Sequence, residues 1–326
     1  MGGRQKIEEL RRAAMLRQIG TFDLMAQTTK VVNTIVKEEF DKHEKGVDTA
    51  VFTHGSLSRN EMTTYSDVDI LFVGQVRKDN ADMISSSLST YGFGKVDEQG
   101  WWQQEAIKRY VKNSLIDGNK VLDARFISGD TSLQDWMTKL QKQENTPERA
   151  IKNIVFQRYY LEHYYSNRST DEIPNVKYQN GGYRDLLVYN WFNNAMALYK
   201  GDNWLKNTDS ERPKIELALK NILGNGIISL AQYERAKSAA EFVIMLRNEI
   251  LHVNQGTKDR NITHLDKSTQ VRVFDSASVF FNTYGIKMPS EVKSSYEMYR
   301  KVNYDTKMML WETILNEEAK LRGAAW

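Results

Sequence analysis

The segment that most constrains the fold is the alternating run at 67–73. Apolar residues occupy every second position from Val68, and alternate residues of a strand share one face. The sequence therefore predicts a strand from which Asp67 and Asp69 project side by side, opposite an apolar face. Adjacent carboxylates repel each other unless a cation lies between them. Mg²⁺ is a suitable cation, because it typically takes one or two carboxylates together with substrate phosphates.

A second short strand is predicted at 50–52 and is followed by Gly55 and Ser56. Glycine lets the backbone approach a ligand closely, and N–H groups that open a helix can hold a phosphate. The order strand, glycine turn, short helix and strand with paired aspartates therefore predicts a site for a nucleoside triphosphate and its metal.

These residues form a pattern that resembles the nucleotidyltransferases of the DNA polymerase β type. The pattern fills seven fixed positions within fifteen residues, namely Gly55, Ser56, Arg59, Glu61, Ser66, Asp67 and Asp69. The competing interpretation is a hairpin with solvated acidic residues. It explains either aspartate alone but not the whole set.

Two later stretches resemble the catalytic half of the PII signal-protein uridylyltransferases. The first is an Asn-x-Lys and Gly-Gly-x-Arg-Asp loop, filled by Asn175, Lys177, Gly181, Gly182, Arg184 and Asp185. The second is a helix end and the segment after it, filled by Arg247, Leu251, His252, Gly256 and Asp259. Together with the first pattern, the resemblance spans about residues 48–275.

The resemblance implies a nucleotidyltransferase that moves an NMP from an NTP, either ATP or UTP, to an acceptor hydroxyl and releases pyrophosphate. Asp67 and Asp69 would hold Mg²⁺ or Mn²⁺. The residues expected to contact the nucleotide are Gly55, Ser56, Arg59, Ser66, Lys177, Arg184 and Arg247. For Arg59 an ion pair with Glu61 or another nearby carboxylate is an equal alternative.

Enzymes of this type usually carry a third carboxylate on a later strand. A strand predicted at 93–98 contains Asp97, and period-two alternation would turn Asp97 toward the face of the first two aspartates if Val96 packs inward. Asp97 is therefore predicted as the third catalytic residue and metal ligand. Asp117 and Asp123 are the alternatives, although Asp117 begins a turn-like Asp-Gly-Asn sequence.

The predicted fold class is α+β, with a small mixed-sheet, polymerase β-like nucleotidyltransferase domain followed by an all-α helical-bundle domain. We expect N-terminal helices that pack on the core at 1–45, the nucleotidyltransferase domain at 46–131 and a helical substrate- and nucleotide-binding domain at 132–326. Helical periodicity in the last part predicts helices at 132–142, 147–165, 186–199, 214–223, 230–252 and 290–321.

Composition narrows the class of protein. The chain has 45 Lys and Arg against 42 Asp and Glu, a net charge of +3, whereas dedicated nucleic-acid binders are usually strongly basic. The absence of cysteine excludes disulfides and thiol nucleophiles. No run has the length of a membrane span and no signal peptide is apparent, so a cytoplasmic location without membrane partners is expected.

The sequence leaves the acceptor open among a protein, a small molecule and an RNA end, with nucleic acid not favoured. Two other classes of function also stay open. One is a catalytically weak NTP-binding or regulatory module. The other is an RNA-cleaving helical domain of the HEPN type, because Arg247 and His252 have the Arg-x₄-His spacing of that group.

Overall fold

The computed structural model describes residues 3–44, 48–91, 96–164, 173–199, 211–254 and 264–323. Within these ranges it describes the backbone alone at 97–102, 115–117, 157–164, 199 and 317–323. The chain divides into two compact units. The first unit comprises Met1–Ala14, Gln18–Asn153 and Leu205–Pro213, and the second comprises Met15–Arg17, Ile154–Trp204 and Lys214–Trp326.

The first unit is built on a mixed sheet. Its strands are β1 Thr49–Thr53, β2 Val68–Gly74, β3 Val96–Trp102 and β4 Arg125–Gly129. They lie in the order β3-β2-β1-β4. β1 is antiparallel to both β2 and β4, whereas β2 and β3 are parallel. Asp69 therefore lies in the central strand β2, and Asp67 immediately precedes that strand.

Helices cover both faces of this sheet. They are α1 Gly3–Met15, α2 Thr21–His43, α3 Gly55–Ser58, α4 Lys78–Thr90, α5 Gln104–Asn113, α6 Leu115–Leu122 and α7 Thr131–Glu144, followed by α8 Pro147–Tyr164. Val68, Ile70 and Phe72 of β2 are buried in one core cluster with side chains of α1, α2 and α4. Leu71 and Val73 are buried in a second cluster with side chains of α5, α6 and α7. The alternation in β2 thus separates two cores.

α7 belongs to the first unit. It buries Leu133, Met137 and Leu140 in the second cluster, and the unit continues to Asn153. The sequence-based division placed this helix in the helical domain, because helical periodicity shows which face of a helix is buried but not which core receives it.

α6 differs from the expectation for its sequence. Asp117 and Gly118 were predicted to lie in a turn, but their backbone belongs to the helix. A Cβ atom on residue 118 would lie 2.3 Å from Nη2 of Arg149 and 2.9 Å from the carbonyl oxygen of Val111. Glycine is therefore present in this helix because neighbouring groups approach it closely.

The second unit is helical. Its elements are a 3₁₀ helix at Tyr183–Leu186, α9 Leu187–Tyr199, α10 Lys214–Gly224, α11 Leu230–Val253, α12 Lys267–Thr283 and α13 Ser290–Gly323. α11 contacts α10, α12, α13 and the 3₁₀ helix. Because neighbours surround it, its residues 242–251 are all buried. The predicted fold class is confirmed.

α12 was absent from the predicted helices. Asp266 caps its N-terminus, accepting a hydrogen bond of 2.7 Å from the backbone N–H of Thr269. The backbone leaves helical geometry at Ala277, with φ −135° and ψ 29°. This kink interrupts the periodicity on which the prediction depended. No helix of the described residues is both long enough and apolar enough to cross a membrane.

Candidate active site

Gly55 lies directly against the carboxylate of Asp69. A Cβ atom on residue 55 would be 2.3 Å from Asp69 Oδ2, and the backbone φ of Gly55 is +64°. The backbone N–H of His54 also donates to the carbonyl oxygen of Asp69, at 3.1 Å. The turn after β1 and the acidic start of β2 are therefore fixed to each other, and only glycine fits at the contact.

The loop between α3 and β2 is closed by its own hydrogen bonds. Ser66 is 2% exposed, and its Oγ accepts from the backbone N–H of Thr63 at 3.0 Å. The backbone N–H of Ser66 donates to the carbonyl oxygen of Thr63 at 3.1 Å, and the N–H of Glu61 donates to the carbonyl oxygen of Ser56 at 2.8 Å. These bonds determine where Asp67 leaves the loop.

Arg59 is held by two carboxylates. Its Nε lies 2.8 Å from Glu61 Oε2 and its Nη1 lies 3.0 Å from Asp123 Oδ2. The arginine and glutamate side chains are only 12% and 3% exposed. Arg59 therefore forms the ion pair that was the alternative to a nucleotide contact. One of its partners is Asp123, which was also a candidate for the third carboxylate.

Asp97 is placed by the backbone of β3. It is the register partner of Asp69 in the parallel pair of β2 and β3. The side chains of Asp97 and Asp117 lie outside those that the structure describes. Among the described side chains, no group of three or more histidines or carboxylates is arranged to hold a metal ion.

The carboxylates of Asp67 and Asp69 are nevertheless a suitable donor set for a hard cation. Both residues are partly exposed, so a ligand reaches them, and both offer oxygen atoms. Mg²⁺ needs only one or two protein carboxylates when substrate phosphates complete its shell. The residues present therefore fit a divalent metal that arrives with a nucleoside triphosphate.

The 175–185 loop of the second unit is held by hydrogen bonds to its own backbone and by an ion pair. Oδ1 of Asn175 accepts from the backbone N–H groups of Lys177 and Tyr178, at 3.0 and 3.2 Å. Asp185 accepts from the N–H of Gly181 at 2.6 Å. It also forms a buried ion pair of 2.8 Å with Lys307 of α13, in which the two side chains are 4% and 5% exposed. Sequence reasoning missed Lys307, since nothing in its local sequence identifies a partner so distant along the chain.

The cations predicted for this part of the chain stack on tyrosines. Lys177 Nζ and Arg184 Cζ lie 5.2 and 5.1 Å from the ring centre of Tyr178. Arg247 Cζ lies 4.3 Å from the ring centre of Tyr183. Contacts of this kind attract the cations to the faces of the aromatic rings. The aromatic residues were not foreseen as parts of the site.

Arg247 is a buried cation that has no ion-pair partner among the described residues. The residue is 6% exposed, and its Nε and Nη1 atoms have no hydrogen-bond partner among the described residues. Burying a charge without a partner is unfavourable. The arrangement therefore favours an acceptor that arrives from outside the described chain.

His252 follows Arg247 by five positions on α11. Five residues correspond to a rotation of about 140° around a helix axis, so the two side chains leave the helix in different directions. The RNA-cleaving alternative depends on this spacing alone and stays a prediction. Gly256 and Asp259, which belong to the predicted second stretch, lie outside the described residues.

Comparison with known proteins gives one family and one kind of relative. Residues 33–121 match the family described as "Nucleotidyltransferase domain". A bifunctional uridylyltransferase/uridylyl-removing enzyme of Acinetobacter baumannii is 26% identical over 163 residues, which cover 47% of this chain and 17% of the relative. An enzyme of the same name from Cupriavidus pinatubonensis is 21% identical over 287 residues, which cover 87% of this chain and 30% of the relative.

The chain therefore spans less than a third of the length of these relatives. The matched segment runs from within α2 to α6 and contains Gly55, Asp67 and Asp69. These matches confirm the resemblance to nucleotidyltransferases of the polymerase β type and to uridylyltransferases, and the similarity to the nucleotidyltransferase domain covers residues 33–121.

Proposed function

We propose that this protein is a metal-dependent nucleotidyltransferase that moves an NMP from an NTP to an acceptor hydroxyl. The observation that carries the proposal is the contact between Gly55 and the Asp69 carboxylate. It brings a turn suited to phosphates and a carboxylate suited to a metal within one small volume. The match of residues 33–121 to the nucleotidyltransferase domain supports the same chemistry.

In the proposed reaction, the acceptor oxygen forms a bond to the α-phosphorus, the bond from that phosphorus to the β-phosphate bridge breaks, and pyrophosphate leaves. The proton of the hydroxyl passes to a carboxylate of the site or to water. Positioning and neutralisation of charge supply most of the catalysis in such transfers. A divalent ion held by Asp67 and Asp69 would supply Lewis-acid polarisation and charge neutralisation.

We assign Asp67 and Asp69 to hold Mg²⁺ or Mn²⁺, and Gly55 and Ser56 to contact the outer phosphates. The partly exposed positions of these four residues support the assignment. Asp97 is retained as the proposed third carboxylate, and its register with Asp69 supports it.

Arg59 and Ser66 are proposed to position the site. The ion pairs of Arg59 with Glu61 and Asp123 hold the loop after α3, and the hydrogen bonds of Ser66 hold the turn before β2. A contact between either side chain and a phosphate would require some of these bonds to open. Their effect on catalysis would then pass through the placement of Asp67 and Asp69.

Lys177, Arg184 and Arg247 are proposed as further nucleotide contacts. The support is the positive charge of Lys177 and Arg184 in the hydrogen-bonded 175–185 loop and, for Arg247 of α11, a buried guanidinium whose Nε and Nη1 have no partner among the described residues. Guanidinium groups bind phosphate oxygens with geometric specificity. Gln179 Oε1 is buried in the same loop and also lacks a donor among the described residues.

The resemblance to uridylyltransferases makes UTP the first nucleotide to test and a protein the first acceptor. The test incubates the pure protein with each α-labelled NTP, Mg²⁺ or Mn²⁺, and a desalted lysate from cells that lack this protein. A labelled acceptor that appears with wild type but not with Asp67→Asn supports transfer. Equal labelling by both proteins, or no labelling with any NTP, overturns it.

A further inference from the structure

A pocket of about 370 Å³ lies beside the edge strand of the first unit. One wall is a stripe of α2 and the other is β4, with Phe126 and Ile127 providing its apolar part. The volume is at the lower end of the range for small-molecule sites. Neither the proposed chemistry nor any of the predicted site residues accounts for this pocket.

The α2 stripe is polar where a packing surface would be apolar. Ala26, Lys30, Asn33 and Lys37 follow one another at spacings of four, three and four residues, which places them on one helix face. Core-facing stripes at this spacing are normally apolar. The stripe is therefore built to face a polar ligand or solvent.

Of the three described cations that line the pocket, Lys30, Lys37 and Arg125, only Arg125 is partly buried. Nη1 donates to Oδ1 of Asn60 at 2.9 Å, which is a neutral acceptor. Among the described residues Arg125 forms no ion pair, although it is partly buried. The guanidinium thus presents a charged fork that no described carboxylate pairs with, and such forks bind carboxylate and phosphate oxygens in a bidentate manner.

The lysines add charge at the rim. Lys30 pairs with Glu211 at 3.1 Å, but the two side chains are 72% and 77% exposed, so the pair is weak and easily exchanged for a ligand. Lys37 lies 2.5 Å from Asp41 and is largely neutralised. Although burial raises the pKa of Asp41, hydrogen bonds from Lys37 and Ser128 lower it overall, so Asp41 keeps its negative charge.

Asn33 provides a hydrogen-bond acceptor in the pocket, whereas Arg125 and the lysines provide donors. Its Oδ1 atom is buried and has no donor among the described residues. A buried acceptor without a donor costs free energy that a ligand with a hydroxyl or amino group would recover. Among the described residues, the pocket therefore combines a guanidinium without an ion-pair partner, an amide oxygen without a donor and an apolar wall.

We propose that this pocket binds a small organic oxyanion, a carboxylate or phosphate ester, that also carries a hydrogen-bond donor. The oxyanion contacts Arg125 and Lys30, and the donor contacts Asn33. Because Arg125 also holds Asn60, next to Arg59, the ligand would lie against the loop that follows α3. The proposal does not rest on the nucleotidyl-transfer reaction.

The test is calorimetry on the full chain in buffer without metal or nucleotide. Citrate and glycerol 3-phosphate represent the two sources of oxyanion; tricarballylate lacks the hydroxyl of citrate, and glycerol lacks the phosphate. We expect one oxyanion probe to bind with one site per chain, glycerol not to bind, and citrate, if it is the ligand, to bind more tightly than tricarballylate. Absence of binding by both oxyanions overturns the proposal.

Substitutions in the pocket test whether the oxyanion binds there. Arg125→Gln is expected to weaken binding about tenfold or more, because hydrogen bonds to charged groups are stronger than those between neutral groups. Arg109→Gln is the matched control, since Arg109 is exposed on α5 and does not line the pocket. Lys30→Gln, at an exposed position that tolerates substitution, is expected to weaken binding even if Arg125→Gln disturbs the fold. Equal binding by wild type and Lys30→Gln, or equal losses in Arg109→Gln and Arg125→Gln, contradicts the assignment.

Discussion

Gly55 and Asp69 are in contact across the turn that joins β1 to β2, with only 2.3 Å between Asp69 Oδ2 and the position that a Cβ atom on residue 55 would take. The left-handed φ of +64° at Gly55 creates this approach. A larger residue would displace either the turn or the carboxylate. The proposed phosphate-binding turn at Gly55 and the proposed metal-binding carboxylate of Asp69 thus fix each other's position.

Gly55→Ala is therefore expected to lower the rate of transfer by about a hundredfold, because misplacing a reacting group by about 1 Å has an effect of that size. Backbone strain adds about 1–2 kcal/mol of lost stability. Steady-state kinetics and thermal unfolding measure the two effects.

Gly226→Ala is the matched control for this change. Its φ is +69°, so it carries similar strain, but nothing lies within 4 Å of the added Cβ atom. It is expected to lose stability and keep activity. Wild-type activity in Gly55→Ala would contradict the importance of the contact with Asp69.

Ser66→Ala distinguishes a positioning role from a phosphate contact. Removing the buried hydroxyl that accepts from the N–H of Thr63 should lower the free energy of unfolding by about 1 kcal/mol and reduce kcat. Ser89→Ala, which changes an exposed hydroxyl on α4, is the control. A raised KM for the NTP with unchanged stability and kcat would instead indicate that Ser66 binds phosphate.

Asp185→Ala should destabilise the second unit strongly. It leaves the ammonium of Lys307 buried without its partner, and losses of this kind are about 3–5 kcal/mol. Asp305→Ala removes an exposed partner of Lys301 and should change stability by no more than about 1 kcal/mol. Chemical denaturation compares the two variants, and similar losses in both would argue against a buried ion pair.

Arg247→Met is expected to weaken NTP binding without lowering the stability of the protein. Arg247 is buried and has no ion-pair partner in the described part of the chain, so an apolar side chain in its place should leave the melting temperature unchanged or raise it, while NTP affinity falls. Arg300→Met is the comparison, because Arg300 pairs with Glu297 and donates to the carbonyl oxygen of Asn180 at 3.2 Å. Unchanged NTP affinity in Arg247→Met would remove Arg247 from the nucleotide site.

The sequence was most informative where the signal is local. Period-two alternation at 68–72 predicted the two faces of β2, which the structure assigns to separate cores. The glycine turn and short helix before it were also predicted from adjacent residues. Local patterns succeed here because strand alternation and turn chemistry act over a few residues.

Partners distant along the chain could not be predicted from one sequence. Asp123 pairs with Arg59 across 64 positions, and Lys307 pairs with Asp185 across 122. Both contacts depend on the packing of whole elements. The kink in α12 and the crowding at Gly118 in α6 likewise arise from tertiary structure, which overrides the local signals for a helix or a turn.

The central claim is that Asp67 and Asp69 are required for transfer of the NMP group, which contains the α-phosphate of the NTP. The most direct measurement supplies UTP labelled at either the α- or the γ-phosphate, with Mg²⁺ or Mn²⁺ and the acceptor, to wild type, Asp67→Asn and Asp69→Asn, with folding checked by circular dichroism. The account predicts that wild type transfers the α label to the acceptor and releases the γ label as pyrophosphate, and that both folded variants do neither. Transfer of the γ label, or full α transfer by either variant, would contradict it.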